Sequence, residues 1–238
     1  WLKRQVLHAE QLRCVVMIQR LLPVHAMTKL TEQCTQVADT WADVAMLLVD
    51  IVGFTAMSAS VTPDELVAFL DQLYTTMDEV VDAIGGVMKV ETIGDCYWCC
   101  SDLAQNDPNK VEIVTQVALE MMERVALIQP PGDVQGPLKL RCGLHVGPVL
   151  GGIVGSMMPR YHLFGKHVQI VQLMEQMGVP CEVTASEEVA NRLDPERFVV
   201  TWRHTVTSQE LERVALYKVE RKPPVAFDPN LERGFHSV

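Results

Sequence analysis

Val44–Val49 is an unbroken apolar run that ends at Asp50. At this length such a run reads as a buried strand. Beyond it the period changes. Thr62-Pro63-Asp64-Glu65 supplies a hydroxyl cap, a proline for the first helical position and acids for the positive end of a helix. Leu66, Phe69, Leu70, Leu73, Met77 and Val80 then recur on one face until Gly85-Gly86 stops the helix. Val87–Glu91 and Cys96–Cys100 read as strands joined through Gly94-Asp95, a hairpin signal. Val111–Ile128 has the spacing of a second amphipathic helix, a Pro-Pro-Gly loop follows, and Leu138–His145 reads as a further strand.

Strand, helix, strand, strand, helix, strand predicts an α+β fold: a ferredoxin-like (split βαβ) antiparallel sheet with helices on one face. After it come a helix at Val168–Met177, a strand at Cys181–Thr184, a short helix at Ser186–Arg192 capped by Ser186, and a hairpin of Phe198–Trp202 with Val214–Val219. Ahead of it, Leu2, Val6, Leu12, Val15, Val16, Ile18 and Leu22 recur at three- and four-residue steps, so Trp1–Leu22 reads as a linker helix able to enter a short coiled coil. Pro23 interrupts it, and Thr28–Asp43 reads as a polar connector. The expected organisation is 1–42 linker helix and connector, 43–220 globular domain, and 221–238 a polar tail.

Composition narrows the function. The 238 residues, 48% hydrophobic, suffice for one substantial core. No window approaches the roughly 18 to 20 uninterrupted apolar residues of a membrane span. A net charge of −10 argues against a nucleic-acid surface. A triphosphate site is still compatible with an acidic protein if metal ions neutralise the phosphates. Of seven cysteines, Cys96, Cys99 and Cys100 share one apolar strand with no second paired cluster for zinc, so buried reduced thiols in a reducing compartment are expected. The chain opens at Trp1 without a signal-peptide pattern. A piece of a longer protein is expected, cytoplasmic or the cytosolic domain of a membrane-bound or organelle-associated one.

The chemical signal is a pair of aspartates. Asp50 sits where the buried strand runs into a loop containing Gly53, and Asp95 sits at the tip of the hairpin. A split βαβ lays the first strand beside that hairpin, so the two carboxylates can converge and, with a backbone carbonyl, hold two Mg²⁺ ions. Such ions, about 3.5–4 Å apart, can activate a hydroxyl and stabilise a leaving pyrophosphate. For either residue alone, a turn-capping Asp50 or an ordinary hairpin Asp95 is the alternative.

The local sequences carry a resemblance. Asp50-Ile51-Val52-Gly53-Phe54-Thr55, Lys89-Val90-Glu91-Thr92-Ile93-Gly94-Asp95-Cys96-Tyr97, Leu140-Arg141-Cys142-Gly143-Leu144-His145-Val146-Gly147 with Gly151-Gly152-Ile153-Val154-Gly155, and Pro159-Arg160-Tyr161-His162-Leu163-Phe164-Gly165 resemble, in order, four motifs of the class III nucleotidyl (adenylyl and guanylyl) cyclases. The resemblance covers about Val44 to Val219, and Leu21-Leu22-Pro23 is similar to the linker that precedes many of these domains.

That resemblance implies two domains pairing head to tail, with each site shared across the interface. One half holds the metals and part of the triphosphate, and its residues are all present: Asp50, Asp95 and Arg141, the Ile51 carbonyl, and the loop Val52, Gly53, Phe54 and Thr55 for phosphates. The other half is damaged. The ribose-orienting asparagine falls on Gln169, the transition-state arginine on Leu173, and the triphosphate lysine on Gln209. Leucine offers neither fixed charge nor a donor fork. The resemblance thus implies a subunit that converts GTP or ATP to a 3′,5′-cyclic nucleotide and pyrophosphate with two Mg²⁺ (or Mn²⁺) ions. It would supply the metal-binding half of a heterodimer with a second cyclase-domain chain, as in soluble guanylyl cyclases or the first domain of membrane adenylyl cyclases.

For the base, Glu91 matches guanylyl cyclases, whereas His162 falls where they carry cysteine and adenylyl cyclases aspartate. Both residues would face the degenerate site while the partner reads the base at the working one, so this chain does not decide the substrate and leans only modestly to GTP; the degenerate pocket could take a nucleotide or small effector. Glu91 could instead be a solvated strand-end carboxylate paired to Lys89 or Arg160. The competing readings are a non-catalytic cyclase-like module for dimerisation or scaffolding and, more distantly, a polymerase-type nucleotidyltransferase.

Overall fold

The computed structural model describes residues 22–31, 37–132, 134–155, 159–208 and 211–223, together with 5, 8, 10–13, 15 and 18. Those described between 5 and 18 are helical. The tail beyond Pro223 and Gln209 lie outside the described residues. The elements are α1 (Val24–Thr31), β1 (Ala38–Ile51), α2 (Phe54–Ser58), α3 (Pro63–Ile84), β2 (Val87–Ile93), β3 (Cys96–Ser101), α4 (Lys110–Val125), β4 (Leu140–Val154), β5 (Arg160–Phe164), α5 (Lys166–Gln176), β6 (Val183–Ser186), α6 (Glu187–Ala190), β7 (Phe198–Ser208) and β8 (Glu212–Arg221).

The sheet runs β2-β3-β1-β4-β6-β8-β7, with β5 pairing off β4. Its first four strands have the split βαβ order, and the β1–β3, β1–β4 and β2–β3 pairs are antiparallel. β6 joins parallel to β4 and carries the β7–β8 hairpin. The apolar run of β1 is buried on both faces because successive side chains alternate. Ala45, Leu47, Val49 and Ile51 enter the core beneath α3 and α4. Val44, Met46 and Leu48 enter a second core with Leu22, Ala26, Trp98, Tyr161, Leu163, Val168 and Val171. α3 and α4 therefore cover one face as the pattern implies. The opposite face is closed by α1, β5 and α5, which strand order alone does not place.

α3 starts as its sequence dictates. Thr62 and Glu65 form a reciprocal capping box, with the Thr62 N–H donating to Glu65 Oε2 at 2.9 Å. Other boundaries differ from expectation. The expected connector holds the end of α1 and the first part of β1, where Ala38–Trp41 pair with Val149–Gly152 of β4. Ser186 does not cap α6 through its side chain. Its Oγ instead lies 2.7 Å from Nδ1 of the fully buried His145. β4 extends past His145 through the glycine-rich stretch, where three glycines have a packing reason. A Cβ on Gly143 would meet the Glu175 backbone N at 2.4 Å, one on Gly147 the His167 ring at 2.2 Å, and one on Gly151 the Tyr161 hydroxyl at 2.1 Å. Cys99, Cys100 and Cys142 are buried free thiols and Cys96 is half-buried.

Candidate active site

Asp50 and Arg141 are register partners on β1 and β4. Arg141 Nη2 donates to Asp50 Oδ2 at 2.6 Å, and its Nε donates to Glu175 Oε1 of α5 at 2.9 Å. Asp95 comes in from the β2–β3 turn, where Gly94 takes the positive φ of 63° that the turn requires. Tyr74 of α3 braces this tip by donating its hydroxyl to the Gly94 carbonyl. Burial raises the Asp95 pKa first and the nearby Asp50 charge second, while the Arg141 charge opposes both. Burial likewise raises the pKa of Glu175, followed by the charge of Asp50. The predicted trio of Asp50, Asp95 and Arg141 is thus brought together. Sequence reasoning missed Glu175 and Tyr74, whose signals lie in tertiary contact and in no short motif.

The donor set fits a hard divalent cation. Two adjacent carboxylates repel each other, as the raised Asp95 pKa records, and a cation between them would relieve that repulsion. Among the described residues no three His, Cys, Asp or Glu side chains gather into a metal-holding cluster. Backbone and substrate oxygens would have to complete the shell, which is how Mg²⁺ is commonly bound.

The loop Val52–Thr55 needs one correction. The Val52 N–H donates to the Lys139 carbonyl at 2.9 Å, which takes its amide away from any phosphate. Gly53, at φ 78°, turns the chain into α2, so Phe54 and Thr55 open a helix whose first amides have no intrahelical partner.

The second group also assembles, though not as its alternative reading held. Glu91 faces His162 across the β2–β5 contact, Oε1 to Nδ1 3.4 Å, while Lys89 pairs with Asp78. On α5, Gln169 is exposed, and Leu173 packs on the cluster of Ile170, Met174, Leu211, Val214 and Leu216.

Residues 37–220 match the model of the adenylate and guanylate cyclase catalytic domain. This chain belongs to that family. The cyclase domain is 34% identical over 194 residues to a membrane guanylyl cyclase of Dictyostelium discoideum, covering 81% of this chain and 13% of that protein. It is 33% identical over 231 residues to an adenylate cyclase of Mycobacterium tuberculosis, covering 96% of this chain and 51% of that one. The chain therefore spans about half or less of either relative. Its fold matches the guanylate cyclase domain of a Catenaria anguillulae protein crystallised with GTP, at TM-score 0.72 and 23% identity over 78% of this chain and 100% of that one. It also matches an adenylyl cyclase of P. aeruginosa, at TM-score 0.71 and 16% identity over 79% and 97%. Among the described residues no helix of the cyclase domain is long and apolar enough to cross a membrane.

Proposed function

We propose that this domain converts a nucleoside triphosphate, GTP ahead of ATP, to the 3′,5′-cyclic nucleotide and pyrophosphate, in a site completed by a second, different cyclase domain. The observation that carries the reading is the convergence of Asp50, Asp95 and Arg141 where β1, the β2–β3 turn and β4 meet.

Two bound Mg²⁺ or Mn²⁺ ions would lower the pKa of the ribose 3′-hydroxyl and offset the charge on the phosphates. Asp50 and Asp95 would hold them with the Ile51 carbonyl. Arg141, tethered by Glu175, would set its donor fork on phosphate oxygens, and the amides of Gly53, Phe54 and Thr55 would take others. The 3′-hydroxyl releases its proton to water as its oxygen attacks the α-phosphorus in line, the bond to the bridging oxygen breaks, and pyrophosphate departs. Positioning and charge dominate such a transfer.

The requirement for a different partner rests on α5. Leu173 lies where the transition-state arginine is implied and is packed among apolar side chains. An arginine of that kind is worth several kcal/mol in a dry site, roughly 10²–10³ in rate or more. Leu150 and Phe164, register partners on β4 and β5, are both exposed, an apolar pair suited to contact with a second cyclase domain. The apolar setting of Leu173 also supports the alternative, a cyclase-like module that only dimerises or scaffolds.

The test is to purify the native complex containing this chain and assay it with GTP and ATP in Mg²⁺ or Mn²⁺. Cyclic nucleotide from the complex and almost none from the self-paired chain is the expected result. Robust turnover by the self-paired chain overturns the partner requirement, and a complex inactive with both nucleotides favours the module.

A further inference from the structure

We propose that Glu175 is the positioning residue for Arg141, anchoring the guanidinium through Nε so that its terminal nitrogens meet the triphosphate in one orientation. The inference rests on the cyclase reading above and adds to it a residue of α5 that no motif marks.

Three observations carry it. Glu175 is only 6% exposed, and Arg141 Nε donates to its Oε1 at 2.9 Å. A carboxylate so enclosed is retained only when paired, because unpaired burial of charge is costly. Next, its position is set by backbone packing. A Cβ on Gly143 would meet the Glu175 N at 2.4 Å, its Cα at 2.9 Å and the Val171 carbonyl at 2.7 Å. The glycine two residues beyond Arg141 thus lets α5 rest directly on β4 at Glu175, and the arginine and its anchor share one rigid contact. Last, the donors are divided. A guanidinium has five N–H groups in one plane. Glu175 takes the one on Nε and Asp50 takes one on Nη2, so terminal donors remain for a phosphate. When Asp50 is drawn to a cation, the bond to Nε persists and the fork does not swing.

Anchoring and charge can be separated by two small variants. Glu175→Gln keeps an acceptor oxygen at the same reach and removes the charge. Glu175→Asp keeps the charge and withdraws the oxygen by one methylene. Both are to be made in the native complex and read by KM, kcat, thermal unfolding and the affinity for inorganic pyrophosphate with Mg²⁺.

Anchoring predicts that Asp raises KM and weakens pyrophosphate binding by ~10-fold with kcat changed less than about threefold, because an arginine that grips ground and transition state alike acts on KM. Gln stays within about threefold of wild type on every count. Equal damage from Gln and Asp, no change from Asp, or a fall confined to kcat overturns the proposal. Should the Asp variant not fold, Gln decides: within about threefold supports anchoring, a ~10-fold rise in KM overturns it. A wild-type complex that makes no cyclic product sinks the cyclase reading instead, and the pyrophosphate titration still decides on Glu175.

Discussion

Arg141 and Asp50 sit opposite each other on adjacent antiparallel strands, with 2.6 Å between Nη2 and Oδ2. The guanidinium also holds Glu175, and its charge reaches Asp95. One cation therefore serves a patch of three carboxylates. The patch is under-neutralised without a divalent ion, and stability and catalysis should pull against each other there.

Asp95→Asn is the test of that opposition. The folded-state pKa of Asp95 is raised, by burial and then by Asp50. A raised carboxylate adds stability that is present at low pH and lost as pH rises through its folded value. Removing its charge should return that share at neutral pH, by up to about 1 kcal/mol. Activity of the complex should fall by roughly 10²-fold or more. Thermal unfolding in chelator and then in Mn²⁺ reads both effects: wild type gains stability from the ion, and the variant starts higher and gains nothing. A variant that still responds to Mn²⁺ would remove Asp95 from the cation site.

If the proposed reading holds, placing Asn and Arg at positions 169 and 173 should create activity. Gln169 and Leu173 lie one helical turn apart on α5. The double variant Gln169→Asn, Leu173→Arg should raise cyclic-nucleotide formation by the self-paired chain at least ~10-fold above its background. Leu173 gives up packing against the Leu211 and Val214 cluster, at a cost of about 1–3 kcal/mol. Turnover that stays at background in a folded variant would show that more than these positions is missing.

The first four strands and both covering helices were legible because their signals are local: the apolar run of β1, the Thr62–Glu65 box, the Gly94 turn. Asp50 and Asp95 were legible for the same reason, each standing at the end of a patterned strand. Glu175 was not, since a glutamate on an amphipathic helix reads as a solvated face until tertiary contact buries it. Ser186 misled in the opposite direction: a serine before acids looks like a helix cap, yet the buried His145 claims its hydroxyl. The connector at Thr28–Asp43 looked polar because Asp39 and Asp43 interrupt it. Asp39 in fact pairs with Lys29 and accepts from the Tyr161 hydroxyl at 3.1 Å.

That last contact supports a prediction about the linker. Tyr161 links the Trp41 indole, 3.0 Å from Nε1, to Asp39, and His25 of α1 packs edge-on against both rings. Tyr161→Phe keeps the ring and loses the hydroxyl, for about 1–2 kcal/mol. Gly151→Ala drives a methyl into that hydroxyl and should cost about 1–3 kcal/mol. Hydrogen exchange should show faster opening of α1 in both variants, with α3 and α4 unchanged. Protection of α1 as in wild type would mean that the hydroxyl does not hold the linker down.

Acid should find its weak point at His145. The ring is fully buried, and its pKa is pushed down to about 4, by burial first, against the pull of Glu188, with His167 adding to the depression. Its Nε2 lies 2.7 Å from His167 Nδ1, so the two nitrogens share one proton and cannot both carry one. His167, half-buried and next to Lys166, is lowered too, again by burial first. A depressed folded pKa gives stability that is complete above the unfolded value near 6.5 and is lost as pH falls toward the folded one. The domain should therefore lose on the order of 2–3 kcal/mol between about pH 6.5 and pH 4. His145→Gln should be less stable at pH 7.5, where a well-packed ring is missing, and yet lose less on acidification. Urea midpoints taken across this range test it: curves for the two proteins should converge as pH falls, and parallel curves would clear His145 of any part in the acid response.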